Sequence, residues 1–212
     1  MRAPGLFVSA AIAINQAIGV FCQFIQRTDR TFPLLYFTID SAIFAGVVAV
    51  VALIRPARLL LPQLRTASAV GVLLSSLIFT TVIAPASSTG TWVQPYDDYW
   101  VRTATVLLHG VAPVLVIIDL VVNYAGRAIT AASVIVWSYL WPMAYLVSLV
   151  ALVSTGIATI PYPFLNPAQL GWRTVLGSLA GLCALILIIA WALLALAKII
   201  HRIYRERSHE DQ

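Results

Sequence analysis

The stretch FPLLYFTIDSAIFAGVVAVVALI, residues 32–54, carries a single charged side chain, Asp40. A bilayer's hydrocarbon core, about 30 Å thick, needs about 20 apolar residues per helix, so this run is long enough to cross it. Thr38 and Asp40 lie two residues apart inside it, and polar groups at that depth need partners from other helices. Working outward, further apolar runs occupy about 6–25, 67–84, 101–122, 128–154 and 172–200, which makes six spans with the first. The chain is 61% apolar and 10% charged over 212 residues, well outside the range of soluble domains. The expected fold is therefore all-α: a polytopic membrane protein whose residues 1–212 form one six-transmembrane-helix bundle.

The formal net charge of +5 does not point to nucleic acid, because the cations cluster beside the apolar runs, where membrane topology accounts for them. Counted by alternating sides, nine of them (Arg2, Arg55, Arg58, Arg65, Arg127, Lys198, Arg202, Arg205, Arg207) fall on one face against Arg27, Arg30, Arg102 and Arg173 on the other. By the positive-inside rule both termini are cytoplasmic, and the longer polar segments after spans 3 and 5 face outward. Arg2 before an apolar stretch looks like the start of a secretory signal, but Asn15, Gln16 and Gln23 interrupt the stretch, so it reads as the first span. Cys22 and Cys183 lie within spans without metal-ligand spacing, and neither a metal nor another cofactor is expected. Membrane lipids are the expected surroundings.

In span 1, Gln16 and Gln23 share a helical face with Gly19 between them, which should point into the bundle. In span 2, Thr38, Ser41, Ala42, Ala45, Gly46 and Ala49 recur at helical spacing and form a stripe where helices can approach closely. Pro33 suits the first turn of that span. Span 4 holds His109, the histidine of an otherwise apolar run. Spans 2 and 4 run in the same direction, so at about 1.5 Å per residue Thr38 and His109 lie about 9 and 12 Å below their span starts. The matched depth predicts that the two meet. Asp40 is about 200° round the helix from Thr38, and Asp119 lies about 15 Å from His109. Both read most simply as bundle-interior acids, with proton relay as the sharper reading. The bland alternative for Thr38 is a hydroxyl bonded back to the Leu34 carbonyl; for His109 it is an interhelical hydrogen bond. Pro113, four residues on, frees the His109 carbonyl. Tyr162, Phe164 and the tryptophans suit a membrane-interface belt, with Tyr162 and Phe164 as a substrate gate in the alternative.

Three pieces together resemble the androgen-inducible membrane protein family, which includes the androgen-dependent TFPI-regulating protein and has bacterial relatives. They are Tyr36-Phe37-Thr38-Ile39-Asp40-Ser41, His109 with Pro113 and Asp119 after it, and Tyr162-Pro163-Phe164-Leu165 before the last span. Their order and the six-span layout match over nearly the whole chain, and the flanking sequence is closer to bacterial members. Animal members are intramembrane threonine hydrolases that cleave fatty acid esters of hydroxy fatty acids. The resemblance thus implies Thr38 as nucleophile and His109 as base. The acid after the threonine and the proline after the histidine are each displaced by about one residue from the animal pattern, so the resemblance implies shared roles for Thr38 and His109 and not for Asp40 and Pro113.

On this reading Thr38 attacks an ester carbonyl of a lipid arriving from the bilayer, His109 takes its proton, and water admitted from the outer side hydrolyses the acyl-threonine. The site would face the outer leaflet of a bacterial plasma membrane. Ser41, Asn15 and Gln16 are the candidate donors to the oxyanion, with Asp40 and Asp119 as further supporting groups. Two other functions use the same residues. In a transporter or channel, Asp40, His109, Asp119 and Gln16 would line a path, although no inverted repeat is evident. In a non-catalytic membrane partner protein they would only hold helices together.

Overall fold

The computed structural model describes residues 3–56, 60–124 and 130–210. Arg2, Arg58 and Arg127 of the topological count lie outside the described residues. Six helical spans are long and apolar enough to cross a membrane, and no strand occurs among the described residues. In chain order the elements are α1 (Ala3–Ile25), α2 (Phe37–Ile54), α3 (Leu61–Ile78), α4 (Tyr99–Thr105), α5 (Ala112–Tyr124), α6 (Ala131–Ser154) and α7 (Pro167–Glu210). A π-helical turn, Phe79–Ile83, extends α3, and a second, Val106–Val111, joins α4 to α5 into one span. The all-α, polytopic architecture is as expected.

Helix α3 is the axis of the bundle. It packs against α2, α5, α6, α7 and the π turn of the fourth span, while α1 lies against α2, α4 and α5. Small residues permit this crowding: a Cβ placed on Gly71 would lie 2.8 Å from both Ser41 Oγ and Trp141 Cδ1. Gly19 plays the same part between α1 and the fourth span, where its Cβ would lie 2.6 Å from Leu108 Cδ2. The stripe on α2 is buried as its spacing predicts at Ser41, Ala42, Ala45 and Ala49.

Several boundaries differ from expectation, each for a local reason. Pro33 does not open span 2; it starts a separate 3-10 turn, Pro33–Leu35. Tyr36 is then extended (φ −93°, ψ 125°), and α2 begins at Phe37, which puts Thr38 in its first turn. Span 3 begins at Leu61, six residues before Ala67, because Arg65 is neutralised inside the bundle and does not end the span. That removes Arg65 from the loop cations without reversing their bias. In α7, Gly171 (φ 74°, ψ 157°) interrupts the helix, a conformation glycine adopts without steric cost, so the span proper starts at Trp172 as expected.

The three connections after α1, α3 and α6 gather at one end of the bundle, opposite the termini. The Arg27 N–H donates to Asp98 Oδ2 at 2.7 Å, and the Asp98 N–H donates to Thr28 Oγ1 at 3.0 Å. Asp98 also caps α4, accepting the Trp100 and Val101 N–H groups at 2.9 Å. The Arg27 and Val101 backbone donors hold its carboxyl below the usual carboxylate range. Within the segment after α3, the side chain of Gln94 bonds to Ser87, Ser88, Thr89 and Thr91. Arg102 donates to the Asp97, Gln94 and Pro95 carbonyls. This segment is built, not slack.

Candidate functional site

The start of α2 is held from two sides. The Tyr36 hydroxyl donates to Asp29 Oδ2 at 2.7 Å; burial first, and the Asp29 bond second, push the phenol up to about 12. Across the bundle, Tyr162 stands edge-on to Tyr36 at 5.8 Å and stacks on Phe164 at 5.3 Å. Its hydroxyl oxygen accepts the Phe37 N–H at 2.9 Å. That N–H is one of the unpaired donors that every helix start presents. Tyr145 of α6 comes to the same place and donates its hydroxyl to the Leu35 carbonyl at 2.7 Å.

These groups form one wall of a cavity of about 260 Å³, enclosed by the start of α2 (Phe37, Thr38), α3 (Leu74, Ser75, Ile78), Tyr162 and Phe164, and facing sides of α6 and α7. Small-molecule pockets run from about 300 to 1,000 Å³, so it admits the end of a single apolar chain more readily than a two-chain lipid. The Thr38, Tyr145 and Tyr162 hydroxyls lie together on its wall, and Met143, Leu146, Leu179 and Leu182 are among its apolar lining. Met143 and Cys183, both on its wall, are exposed on the outer surface of the bundle. Ile83, in the π turn after α3, also lines it and is exposed, so the cavity reaches the perimeter of the bundle beside Ile83, Met143 and Cys183.

Thr38 is half-buried and lines this cavity. Its hydroxyl makes no bond to the Leu34 carbonyl among the described residues, because Leu34 belongs to the separate 3-10 turn. It faces the Tyr162 oxygen instead, as does its backbone N–H.

No protein-family model matches the chain, and no curated protein or solved structure is significantly similar to it.

His109 is not on the cavity wall. It sits in the π turn, its imidazole stacked on Phe79 at 3.9 Å and 7°, with Trp92, from the segment between α3 and α4, edge-on to Phe79. Its Nδ1 is buried and has no hydrogen-bond partner among the described residues, and no hydrogen bond joins it to Thr38. Pro113 acts on this turn differently from expectation. In a π turn the N–H it lacks would have served Leu108, five residues back, and the Leu108 carbonyl takes the Ser76 hydroxyl instead at 3.4 Å. The neighbouring Leu107 carbonyl accepts Asn15 Nδ2 at 3.2 Å.

The expected supporting residues are scattered. Asn15 is spent on Leu107, and Ser41 is fully buried, accepting Trp141 Nε1 at 3.0 Å. Gln16 packs its Cβ against Gly46 and is 2% exposed, with neither amide atom paired among the described residues. None of the three lines the cavity, so none is placed there as an oxyanion donor. Asp40 is half-buried in the first turn of α2 and also off the cavity wall. Of the expected groups, Thr38, Tyr162 and Phe164 share one site.

Asp119 is a bundle-interior acid with a charged partner. It forms a buried ion pair with Arg65 of α3, and Arg65 also donates to Ser9 Oγ at 3.1 Å while Asn123 Nδ2 donates to Asp119 Oδ1 at 3.0 Å. Arg65 had been read as a loop cation. The signal for its burial was there, since Arg65, Ser68, Ser75 and Ser76 recur at near-helical spacing, but it pointed to a partner only once Asp119 was placed opposite.

Proposed function

We propose that this protein is an intramembrane hydrolase of lipid esters, such as fatty acid esters of hydroxy fatty acids. Thr38 is its nucleophile and His109 its base, in the outer leaflet of a bacterial plasma membrane. The observation that supports it is the Thr38 hydroxyl: not tied to a carbonyl of its own helix, it opens onto an apolar cavity that reaches the perimeter of the bundle. An ester whose acyl chain enters from that perimeter would bring its carbonyl to the Thr38, Tyr145 and Tyr162 hydroxyls.

In the reaction, Thr38 Oγ forms a bond to the ester carbonyl carbon and its proton passes to His109. Collapse of the tetrahedral intermediate expels the alcohol, which takes that proton, and water then hydrolyses the acyl-threonine with the same base. The buried, unpaired Nδ1 of His109 can take a proton; because His109 lies off the cavity wall, the transfer requires its side chain to move toward Thr38 when the ester binds. A non-catalytic lipid-binding membrane protein is the second reading, favoured by the missing Thr38–His109 bond.

The test uses purified protein in detergent with p-nitrophenyl octanoate and a hydroxyl-directed covalent probe. Turnover and labelling are expected in the wild type, with both lost in Thr38→Ala and turnover lost in His109→Ala. Labelling that survives in Thr38→Ala would exclude that nucleophile. Full turnover in His109→Ala would exclude that base.

A further inference from the structure

Four hydroxyls lie on the cavity wall, and their protons are committed differently. Ser75 donates to the Val72 carbonyl at 2.9 Å, and Tyr145 donates to the Leu35 carbonyl at 2.7 Å. Thr38 is the proposed nucleophile. Tyr162 remains: its oxygen accepts the Phe37 N–H, its hydroxyl lies beside those of Thr38 and Tyr145, and no backbone carbonyl takes its proton among the described residues. It is 8% exposed and stands beside the Thr38 hydroxyl.

We propose that the Tyr162 hydroxyl is the donor that holds the carbonyl oxygen of an acyl ester bound in this cavity, and that it stabilises the oxyanion when Thr38 attacks. The assignment rests on the acyl-ester reading above. Its chemistry is one of position. A group that accepts the first N–H of a helix is polarised by that bond and by the positive helix end, which makes its own O–H a stronger donor. Burial pushes the phenol above its ordinary range, so it keeps its proton at neutral pH. A donor preorganised at the place where charge develops, in a site shielded from water, is worth about 10²- to 10³-fold in kcat. The proton stays on Tyr162 throughout; the one that moves is from Thr38.

The experiment has two arms. In the first, methyl octanoate labelled with 13C at its carbonyl is bound to the protein in dodecyl maltoside and its carbonyl stretch is read by infrared difference spectroscopy. The stretch is expected at lower frequency than for the same ester in micelles alone, and the shift is expected to vanish in Tyr162→Phe. Because that variant also removes the acceptor for the Phe37 N–H, Tyr162 is replaced in parallel by 3-fluorotyrosine and 3,5-difluorotyrosine, which keep the oxygen. A stronger phenol donor should move the stretch further down in step, an effect that a purely structural role would not produce.

The second arm is turnover of p-nitrophenyl octanoate. Tyr162→Phe is expected to lower kcat about 10²-fold with little change in KM. If wild type and Tyr162→Phe share one carbonyl frequency and one kcat while Thr38→Ala is inactive, the Tyr162 assignment falls and the hydrolase reading stands. If Thr38→Ala turns over normally but the fluorotyrosine series shifts the stretch, hydrolysis at Thr38 falls and Tyr162 is upheld as the carbonyl anchor of a lipid-binding cavity. No bound-ester band together with no turnover in the wild type overturns both.

Discussion

Arg65 of α3 and Asp119 of α5, 54 positions apart in the chain, form an ion pair inside the bundle with side chains only 5% and 6% exposed. Ser9 and Asn123 add hydrogen bonds to it, so both charges are compensated inside the bundle. The pair ties the first, third and fourth spans together at the end of the bundle that carries the termini.

Removing one partner leaves the other charge buried and alone, which costs about 3–5 kcal/mol, whereas replacing both by apolar groups of similar volume is close to neutral. Arg65→Met and Asp119→Leu should therefore each destabilise the protein strongly, and the double variant should recover most of the loss. Unfolding of the four proteins in mixed detergent and SDS measures this. Single variants as stable as the wild type would show that the pair contributes little.

Gly71→Ala sets two effects against each other. Alanine favours a helix over glycine by about 1 kcal/mol, but here its Cβ would lie 2.8 Å from Ser41 Oγ and from Trp141 Cδ1. Ser41 is fully buried and bonded to Trp141, so neither can yield freely, and overpacking of this kind costs about 1–3 kcal/mol. Net destabilisation is expected, with a shifted Trp141 emission. A gain in stability would mean that α2 and α3 approach less closely than described.

Cys183 lines the cavity and is exposed, while Cys22 is 2% exposed. A small apolar thiol reagent, methyl methanethiosulfonate, should modify Cys183 and leave Cys22 untouched, as peptide mass mapping would show. Modification should lower turnover of p-nitrophenyl octanoate several-fold, and Cys183→Ser should resist that inhibition. Unchanged turnover in fully modified protein would place the substrate elsewhere.

Asp98 links the α3–α4 connection to the α1–α2 connection through backbone donors that lower its pKa. The unfolded value is about 3.9. A group whose folded pKa is depressed contributes stability above the unfolded pKa, and that contribution is lost as pH falls through the folded one. Asp98→Asn, which keeps the shape of the cap, should be less stable than the wild type at pH 7 and should match it once the pH lies below the folded pKa. Thermal unfolding at the two pH values checks the sign; a gap that persists unchanged in acid would refute it.

The spans could be read from the chain because burial in lipid requires long apolar runs whatever the neighbours are. The small stripe on α2 and the face of α1 bearing Gln16, Gly19 and Gln23, buried at the first two and half-buried at the third, followed from spacing. Arg65 was misassigned for the complementary reason: a cation inside a span is tolerable only with its counter-charge, and that counter-charge comes from another helix. The same holds for His109, whose place within the fourth span was legible while its direction was not, since the π turn rotates the residues that follow it relative to an α-helical register.

What the sequence by itself determined is the class of molecule: six lipid-compatible helices, and a short set of polar groups, Thr38 and His109 among them, held within those helices. Tertiary structure alone decided which of those groups share a space. Thr38 faces Tyr162 because the Pro33–Leu35 turn shifts the start of α2, and because a hydroxyl from the α6–α7 connection takes the first N–H of that helix. Composition and periodicity describe each helix against lipid. The pairing of one helix with another depends on side-chain geometry at their contacts, which no single segment contains.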